Sequence, residues 1–311
     1  MTEELYLADD NATTFEATVE RALDDRIVLD RTHFYPAGGG QPHDTGTIRV
    51  ADAETTDGDV ADGGAADRHW RVVDVEKKDT VYHILEPAGN EISAVADAAA
   101  ADAAADDAAA DDAAADDAAV DAVAPPEPGT AVVGEIDAGR RSAHSRYHTA
   151  QHLLSALLLS EFDAPTTGNQ LYDDHAHLDA AYERFDDGDL ARIEERLNDL
   201  VDDKRPVRSY AMDRAEAEAT LDTERTRIDL LPDSIAELRI VEIGASGGTE
   251  GGDRGDDNDG DAEPYDRTAC AGTHVGNTAE IGDIVVTGRE TKGSGEERVR
   301  FALADHVDGD R

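Results

Sequence analysis

"RYHTAQHLLSALLLS", residues 146–160, sets His148 and His152 four residues apart at the head of an apolar run. The length and leucine content of this run predict a helix. At about 100° per residue, both imidazoles fall on one face of it, only about 40° apart. Leu153, Leu154 and Leu157 cluster on the other side. A core histidine belongs within the packing stripe, and this pair lies across from it. The pair therefore reads either as chance spacing on a packed helix or as half of a metal site, and the second reading needs partners.

What flanks the helix is strand-like. Before it come "DRIVLDRT", "GTIRV", "RHWRVVDVEKK" and "TVYHILEP", short alternating runs separated by turn-rich segments, which predict a small β-barrel or sandwich. Residues 94 to about 128 hold an Ala/Asp repeat with Asp pairs every five positions, closed by "PPEPG". A period of five matches neither a helix face nor a strand face, so this tract reads as a solvated insertion. "TAVVGEIDA" then resumes as a strand, so the insertion interrupts the first domain and does not end it. After the histidine helix, Leu190, Ile193, Leu197, Leu200 and Val201 recur at helical spacing over 189–203. Strands follow at "PVRSYAM", "ELRIVEIG", "IGDIVVTG" and "ERVRFAL", and the acidic, Gly-rich tract 245–264 reads as a mobile loop. The expectation is an α+β chain: a small β-barrel domain over 1–141, then an α+β domain over 142–311 with helices on an antiparallel sheet.

Composition sets the setting. Seventy-two Asp and Glu against 28 Lys and Arg give a formal net charge of -44 over 311 residues. Clear helix and strand periodicity argues against a disordered acidic chain. We read it as a folded, halophilic protein from a very salty cytoplasm, where at about 1 M salt charge is screened within ~3 Å. Such acidity then says little about partners and does not exclude a polyanion. The single cysteine, Cys270, rules out an internal disulfide and fits a reducing compartment. "MTEELYLADD" lacks the basic and apolar regions of a signal peptide, and no apolar run approaches the ~18 residues of a membrane span. A soluble, cytoplasmic protein is expected, without membrane contact and with its oligomeric state open.

Partners for the histidine pair appear in "CAGTHVGNTAEIG", where Cys270 precedes His274 by four residues across a glycine-containing turn. Zn²⁺ takes thiolate and imidazole together. The bland alternative is a small buried cysteine beside a surface histidine, but two ligand pairs on separate segments are harder to dismiss. The usual H-E-x-x-H signature of zinc peptidases is absent, because Thr149 stands where it needs glutamate.

"RYHTAQHLLSALL" and "CAGTHVGNTAEIG" together resemble the two signature segments of the alanyl-tRNA synthetase editing domain and of the free-standing alanyl-tRNA editing proteins called AlaX. "FYPAGGGQPHDTG", 34–46, is similar to the glycine-rich motif of the longer forms that keep an N-terminal barrel. The free-standing form is the better match. The resemblance implies trans-editing: hydrolysis of the ester joining a wrong amino acid to tRNA(Ala), chiefly serine, with glycine as a further candidate. It also implies one Zn²⁺ per chain, held by His148, His152, Cys270 and His274, and binding of the tRNA(Ala) acceptor end. Four protein ligands would close a tetrahedral site. Either the ion expands its coordination, or one ligand is loose, or the ion mainly positions the 3′ end.

For reading the serine hydroxyl, Thr167 and Gln170 in "TTGNQLY" are the candidates, against an ordinary turn-and-strand role. Gly38, Gly39, Gly40 and Gln41 could bring backbone amides close to the tRNA end, or simply form a tight turn. Arg140, Arg141 and Arg146 are expected to touch phosphates. His144, four residues before His148, is left out because the resemblance starts the helix later, and His175 and His177 read as surface residues. Two rivals remain: a non-catalytic, zinc-stabilised tRNA- or RNA-binding module, and a zinc hydrolase of another ester or peptide.

Overall fold

The computed structural model describes residues 1–51, 68–88, 124–221, 226, 228, 235–244 and 263–307. Most of the Ala/Asp repeat and most of the acidic tract 245–264 lie outside the described residues.

In the first part, alternating side chains roll an antiparallel sheet into a closed barrel. Two-residue β1 (Glu3–Glu4) and β4 (Arg31–Thr32) pair at its edge. The barrel strands are β2 (Thr14–Ala22), β3 (Arg26–Leu29), β5 (Gly46–Val50), β6 (His69–Lys77), β7 (Val81–Pro87) and β8 (Ala131–Ile136), in the order β2-β3-β7-β6-β5-β8. In β2, Phe15, Ala17 and Val19 point inward between exposed neighbours. They meet Ile27, Leu29, Ile48, Trp70, Val72, Val75 and Val132 in one apolar core. Strand β8 pairs with both β5 and β2 and so closes the ring. Strand β8 thus completes a barrel whose other strands all precede residue 89 in the chain. Strand β2 escaped the sequence reading, although its alternation is regular.

Helix α1 (Ala138–Phe162) starts when the Asp137 carboxylate accepts the Arg140 amide at 3.0 Å, a side-chain cap, and ends at Asp163 in the left-handed region, φ 51°. It thus begins earlier than the sequence motif suggested. His144 lies inside it, and the expected boundary at residue 141 falls in its first turn. Beyond α1 come β9 (Thr166–Leu171), β10 (Ala176–Ala180), α2 (Asp187–Asp202), β11 (Val207–Asp213), α3 (Arg214–Thr220), β12 (Glu237–Ile243), β13 (Asp266–Ala269), β14 (Ile284–Gly293) and β15 (Glu296–Leu303). They form an antiparallel sheet β14-β15-β10-β9 and a second sheet β11-β12-β13.

Helices α1 and α2 pack together on the four-stranded sheet. Tyr147, Leu153, Leu154 and Leu157 of α1 and Ile193, Leu197 and Leu200 of α2 share a core with Leu171, Leu178, Val299 and Phe301. Each such aliphatic side chain contributes about 1.5–3 kcal/mol by leaving water. A capping box between Asp186 and Asp189 starts α2 where the leucine periodicity places it. Among the described residues, no helix is long and apolar enough to cross a membrane.

The barrel and α1 are joined by one buried ion pair. The Arg141 guanidinium donates Nε to Asp44 Oδ1 at 3.0 Å and Nη2 to Asp44 Oδ2, with further bonds to the carbonyls of Asp10 (2.8 Å) and His33 (2.7 Å). Both side chains are almost wholly buried. This corrects one expectation: Arg141 cannot reach a phosphate.

Candidate metal centre and its cleft

His148 and His152 stand one turn apart on α1, and the irregular segment after β13 brings Cys270 and His274 over them. The ligand atoms of the four residues lie within 4.8 Å of one another. Cys270 Sγ is 3.5 Å from His148 Nε2 and 3.4 Å from His274 Nε2. Tetrahedral zinc with bonds of about 2.3 Å to sulfur and 2.0–2.1 Å to nitrogen separates its ligand atoms by roughly 3.5 Å.

Surrounding hydrogen bonds decide which ring nitrogen of each histidine is free. Gln41 Oε1 accepts the Thr273 amide at 3.1 Å while Gln41 Nε2 donates to Thr273 Oγ1 at 3.0 Å, which fixes the amide orientation. The same Oε1 lies 2.8 Å from His148 Nδ1, so that nitrogen carries the proton and Nε2 keeps its lone pair. Thr149 gives its hydroxyl proton to the Ser145 carbonyl at 2.8 Å and therefore accepts from His274 Nδ1 at 3.3 Å. The Asp266 carboxylate lies 2.8 Å from His152 Nδ1 and accepts from it. Three Nε2 atoms are thereby left to the ligand centre, facing one thiol.

Charge follows the same plan. Burial would raise the Cys270 thiol, but the charge and hydrogen bond of His148, with hydrogen bonds from His152 and His274, hold it well below the ordinary thiol range. Burial works against charge on His152 as well, yet the Asp266 and Cys270 contacts push it up to about 9. His274 is driven down to about 3, chiefly by burial. Without an ion, His152 thus holds its proton at neutral pH beside the thiolate; a soft or borderline metal, which takes thiolate and neutral imidazole, would displace that proton on binding.

Beside this cluster opens a cleft of about 480 Å³ between α1, β9 and β13, lined by Gln151, Ser155 and Leu159, by Thr166 to Asn169, and by Thr268 and Cys270. Gly39 reaches it from the barrel. Gly38 and Gln41 exchange backbone hydrogen bonds of 3.0 and 2.9 Å across a turn in which Gly39 and Gly40 have φ of 59° and 82°, a conformation that favours glycine. A Cβ on Gly40 would come within 2.6 Å of Asn169 Nδ2, so the turn lies directly on β9.

The chain resembles known proteins over nearly its whole length. Two family models match it: the second additional domain of threonyl and alanyl tRNA synthetases over residues 238–300, and class II (A) tRNA synthetases over residues 4–87. Alanyl-tRNA editing protein AlaX-M of Methanosarcina barkeri is 34% identical over 307 residues, spanning 98% of this chain and 100% of that protein. The chain belongs to the alanyl-tRNA editing proteins. AlaX-M of Methanosarcina acetivorans is 33% identical with the same coverage. The alanine–tRNA ligase of Pyrobaculum calidifontis is 30% identical over 98% of this chain but only 27% of its own length.

In this editing protein the residues singled out from sequence have unequal positions. His148, His152, Cys270 and His274 converge. Thr167 lines the cleft and donates its hydroxyl to Glu296 at 2.6 Å. Gln170 pairs with His177 on the opposite face of β9 and donates to the Leu171 carbonyl, so it is turned away from the cleft. Gln41 is buried behind His148 and presents nothing to a ligand in the cleft. His144 is fully buried and bonds Asp173 at 2.9 Å, and His177 is buried too, contrary to its expected surface position. His175 is exposed against Asp174. Arg140 and Arg146 are spent on Asp173 and Asp305.

Sequence reasoning missed Gln151 and Asn169. Gln151 Nε2 donates to the His177 carbonyl at 3.0 Å, so its Oε1 is an acceptor. Asn169 Nδ2 donates to that Oε1 at 3.0 Å and to the Gly39 carbonyl at 3.1 Å, leaving Oδ1 as the amide's remaining acceptor. Gln151 sits between His148 and His152 within the quoted motif, one position along from the helix face that drew attention.

Proposed function

We propose that this chain is an aminoacyl-tRNA deacylase that clears mischarged tRNA(Ala), chiefly the seryl ester and also the glycyl ester, at a zinc centre formed by His148, His152, Cys270 and His274. The observation that carries the reading is the convergence of one thiolate and three histidine Nε2 atoms, each histidine tautomer fixed by an outer partner, on the wall of a cleft open to solvent. The donor set suits zinc in type, number and spacing. Zinc bound there would supply a Lewis acid beside the ester.

The chain's own residues do the rest. Asn169, held by Gln151 and Gly39, offers Oδ1 to the hydroxyl of a seryl group. Alanine lacks that hydroxyl and leaves the acceptor without a partner, which disfavours it. Thr167 at the rim is a second polar contact for the aminoacyl end. Gly39 lets the barrel turn approach the terminal nucleotide closely. The family membership points to tRNA(Ala) as the partner. With Arg140, Arg141 and Arg146 committed to carboxylates, recognition rests on the cleft and its metal more than on a basic track.

The test is release of serine from seryl-tRNA(Ala) in multimolar KCl, with alanyl-tRNA(Ala) as control and Cys270→Ala as the inactive comparison. Release of serine with alanine spared and a dead variant is expected. An intact, folded, zinc-loaded protein that releases nothing would transfer the reading to a zinc-stabilised RNA-binding module, to which a closed four-ligand site is suited.

A further inference from the structure

The segment from Cys270 to His274 belongs to no helix or strand, so its backbone carbonyls have no ladder to satisfy them. One arginine does so. Arg239, on β12 in the middle of the second sheet, donates Nη1 to the carbonyls of Cys270 at 3.0 Å and Gly272 at 2.9 Å. Its own carbonyl accepts the Cys270 amide at 3.0 Å. Its Nη2 donates to Asp10 Oδ2 at 2.8 Å and its Nε to the Leu7 carbonyl at 2.9 Å. That same Asp10 Oδ2 accepts the His274 amide at 2.9 Å. Both ends of the ligand-bearing segment are therefore tied to one nearly buried ion pair, Arg239 with Asp10. Asp10 lies before the barrel in the chain, and its carbonyl is also held by Arg141 of α1. The pair connects the element carrying Cys270 and His274 to the element carrying His148 and His152.

We propose that Arg239 and Asp10 are positioning residues for the metal centre, fixing Cys270 Sγ and His274 Nε2 against the helix histidines so that the four donors converge before an ion arrives. This rests on the zinc reading above. The planar fork of Arg239 serves three carbonyls and a carboxylate together, four acceptors that the three N–H groups on a single lysine nitrogen cannot all reach.

The test is cobalt titration of the full chain, read by the thiolate-to-cobalt absorption band and by competition with a chelator. Arg239→Met and Asp10→Ala should bind cobalt about 10–100-fold more weakly than the wild type, the loss typical of removing an outer partner. Asp10→Asn, which keeps an oxygen acceptor, should recover part of the affinity, and Arg239→Lys should remain weakened. These comparisons use variants that retain wild-type far-UV circular dichroism; the isosteric Asp10→Asn serves if Arg239→Met does not fold. Wild-type cobalt affinity in folded Arg239→Met or Asp10→Ala would overturn the positioning role while leaving the zinc reading intact. A wild-type chain giving no thiolate band would overturn both.

Discussion

Gln41 Oε1, on the barrel, lies 2.8 Å from His148 Nδ1, on α1, and the bond fixes the ring so that Nε2 faces Cys270. A residue 107 positions away thus sets the tautomer of a histidine in the candidate metal centre. Gln41→Leu leaves the buried Thr273 amide and His148 Nδ1 without their acceptor, at a cost of about 1–3 kcal/mol, and in protein that retains the wild-type far-UV circular dichroism it should weaken zinc binding about 10–100-fold. Chelator competition measures it. Gln41→Glu retains the acceptor and should bind more tightly than Gln41→Leu; equal affinities for both variants would remove the barrel from the metal centre.

Gly272 has no room for a side chain. A Cβ there would overlap the His148 ring and come within 2.9 Å of Gln41 Oε1. Gly272→Ala should displace His148, reduce bound metal at a given zinc concentration at least about tenfold, and cost about 1–3 kcal/mol as overpacking. Metal content after dialysis against a zinc buffer and chemical denaturation report the two effects separately.

The cleft side of β9 gives a prediction about discrimination. If Asn169 Oδ1 accepts the seryl hydroxyl, Asn169→Ala should lower kcat/KM on seryl-tRNA(Ala) by about 10–100-fold, the equivalent of a lost buried hydrogen bond of about 1.4–3 kcal/mol. The rate on glycyl-tRNA(Ala) should change much less. An equal fall on both esters would assign Asn169 to holding the cleft and not to reading the side chain.

Much of this could be read from the chain, and the omissions have physical causes. Helix α2 was legible because its apolar stripe is regular and its cap is local. The convergence of His148, His152, Cys270 and His274 was legible because each pair carries its spacing within a few residues. What escaped reading depends on contacts distant in sequence. Arg141 looks like any surface arginine until Asp44 comes round from the barrel. Gln41 looks like a turn residue until Thr273 fixes its amide. His177 lies in a polar run, yet becomes buried once β10 is flanked by β9 and β15. Strand β9, with Thr, Gly, Asn and Gln, carries little apolar alternation because one side of it faces the cleft.

The Asp44–Arg141 pair predicts how strongly the barrel and α1 depend on each other. Asp44 also accepts the Tyr35 amide at 2.6 Å, so its removal leaves both a guanidinium and an amide without their partner. Asp44→Ala should cost about 3–5 kcal/mol, the penalty for leaving one charge of a buried pair alone. It should do so in high salt as well, since the pair is shielded from solvent. Denaturant unfolding at low and multimolar KCl tests both points. A cost below about 1 kcal/mol would make the pair equivalent to a surface one.

His83 supplies a pH dependence whose sign can be worked out. It is fully buried on β7, with Nε2 2.8 Å from Thr32 Oγ1, and burial lowers its pKa from the ordinary 6.5 to about 4. Between those two values the unfolded chain binds a proton that the folded chain refuses. Stability therefore falls as pH drops from about 6.5 toward 4 and is unaffected by His83 above that window. The limiting slope for one proton is about 1.4 kcal/mol per pH unit. Carboxylates add their own acid dependence, so the informative quantity is the difference between the wild type and His83→Gln, which can keep a bond to Thr32 without titrating. The difference in unfolding free energy should be flat from pH 7 to 8 and should move in favour of His83→Gln by more than about 1 kcal/mol between pH 6.5 and 5. Parallel stability curves across that window would mean that the folded barrel accepts the proton, and that His83 is not held neutral by burial.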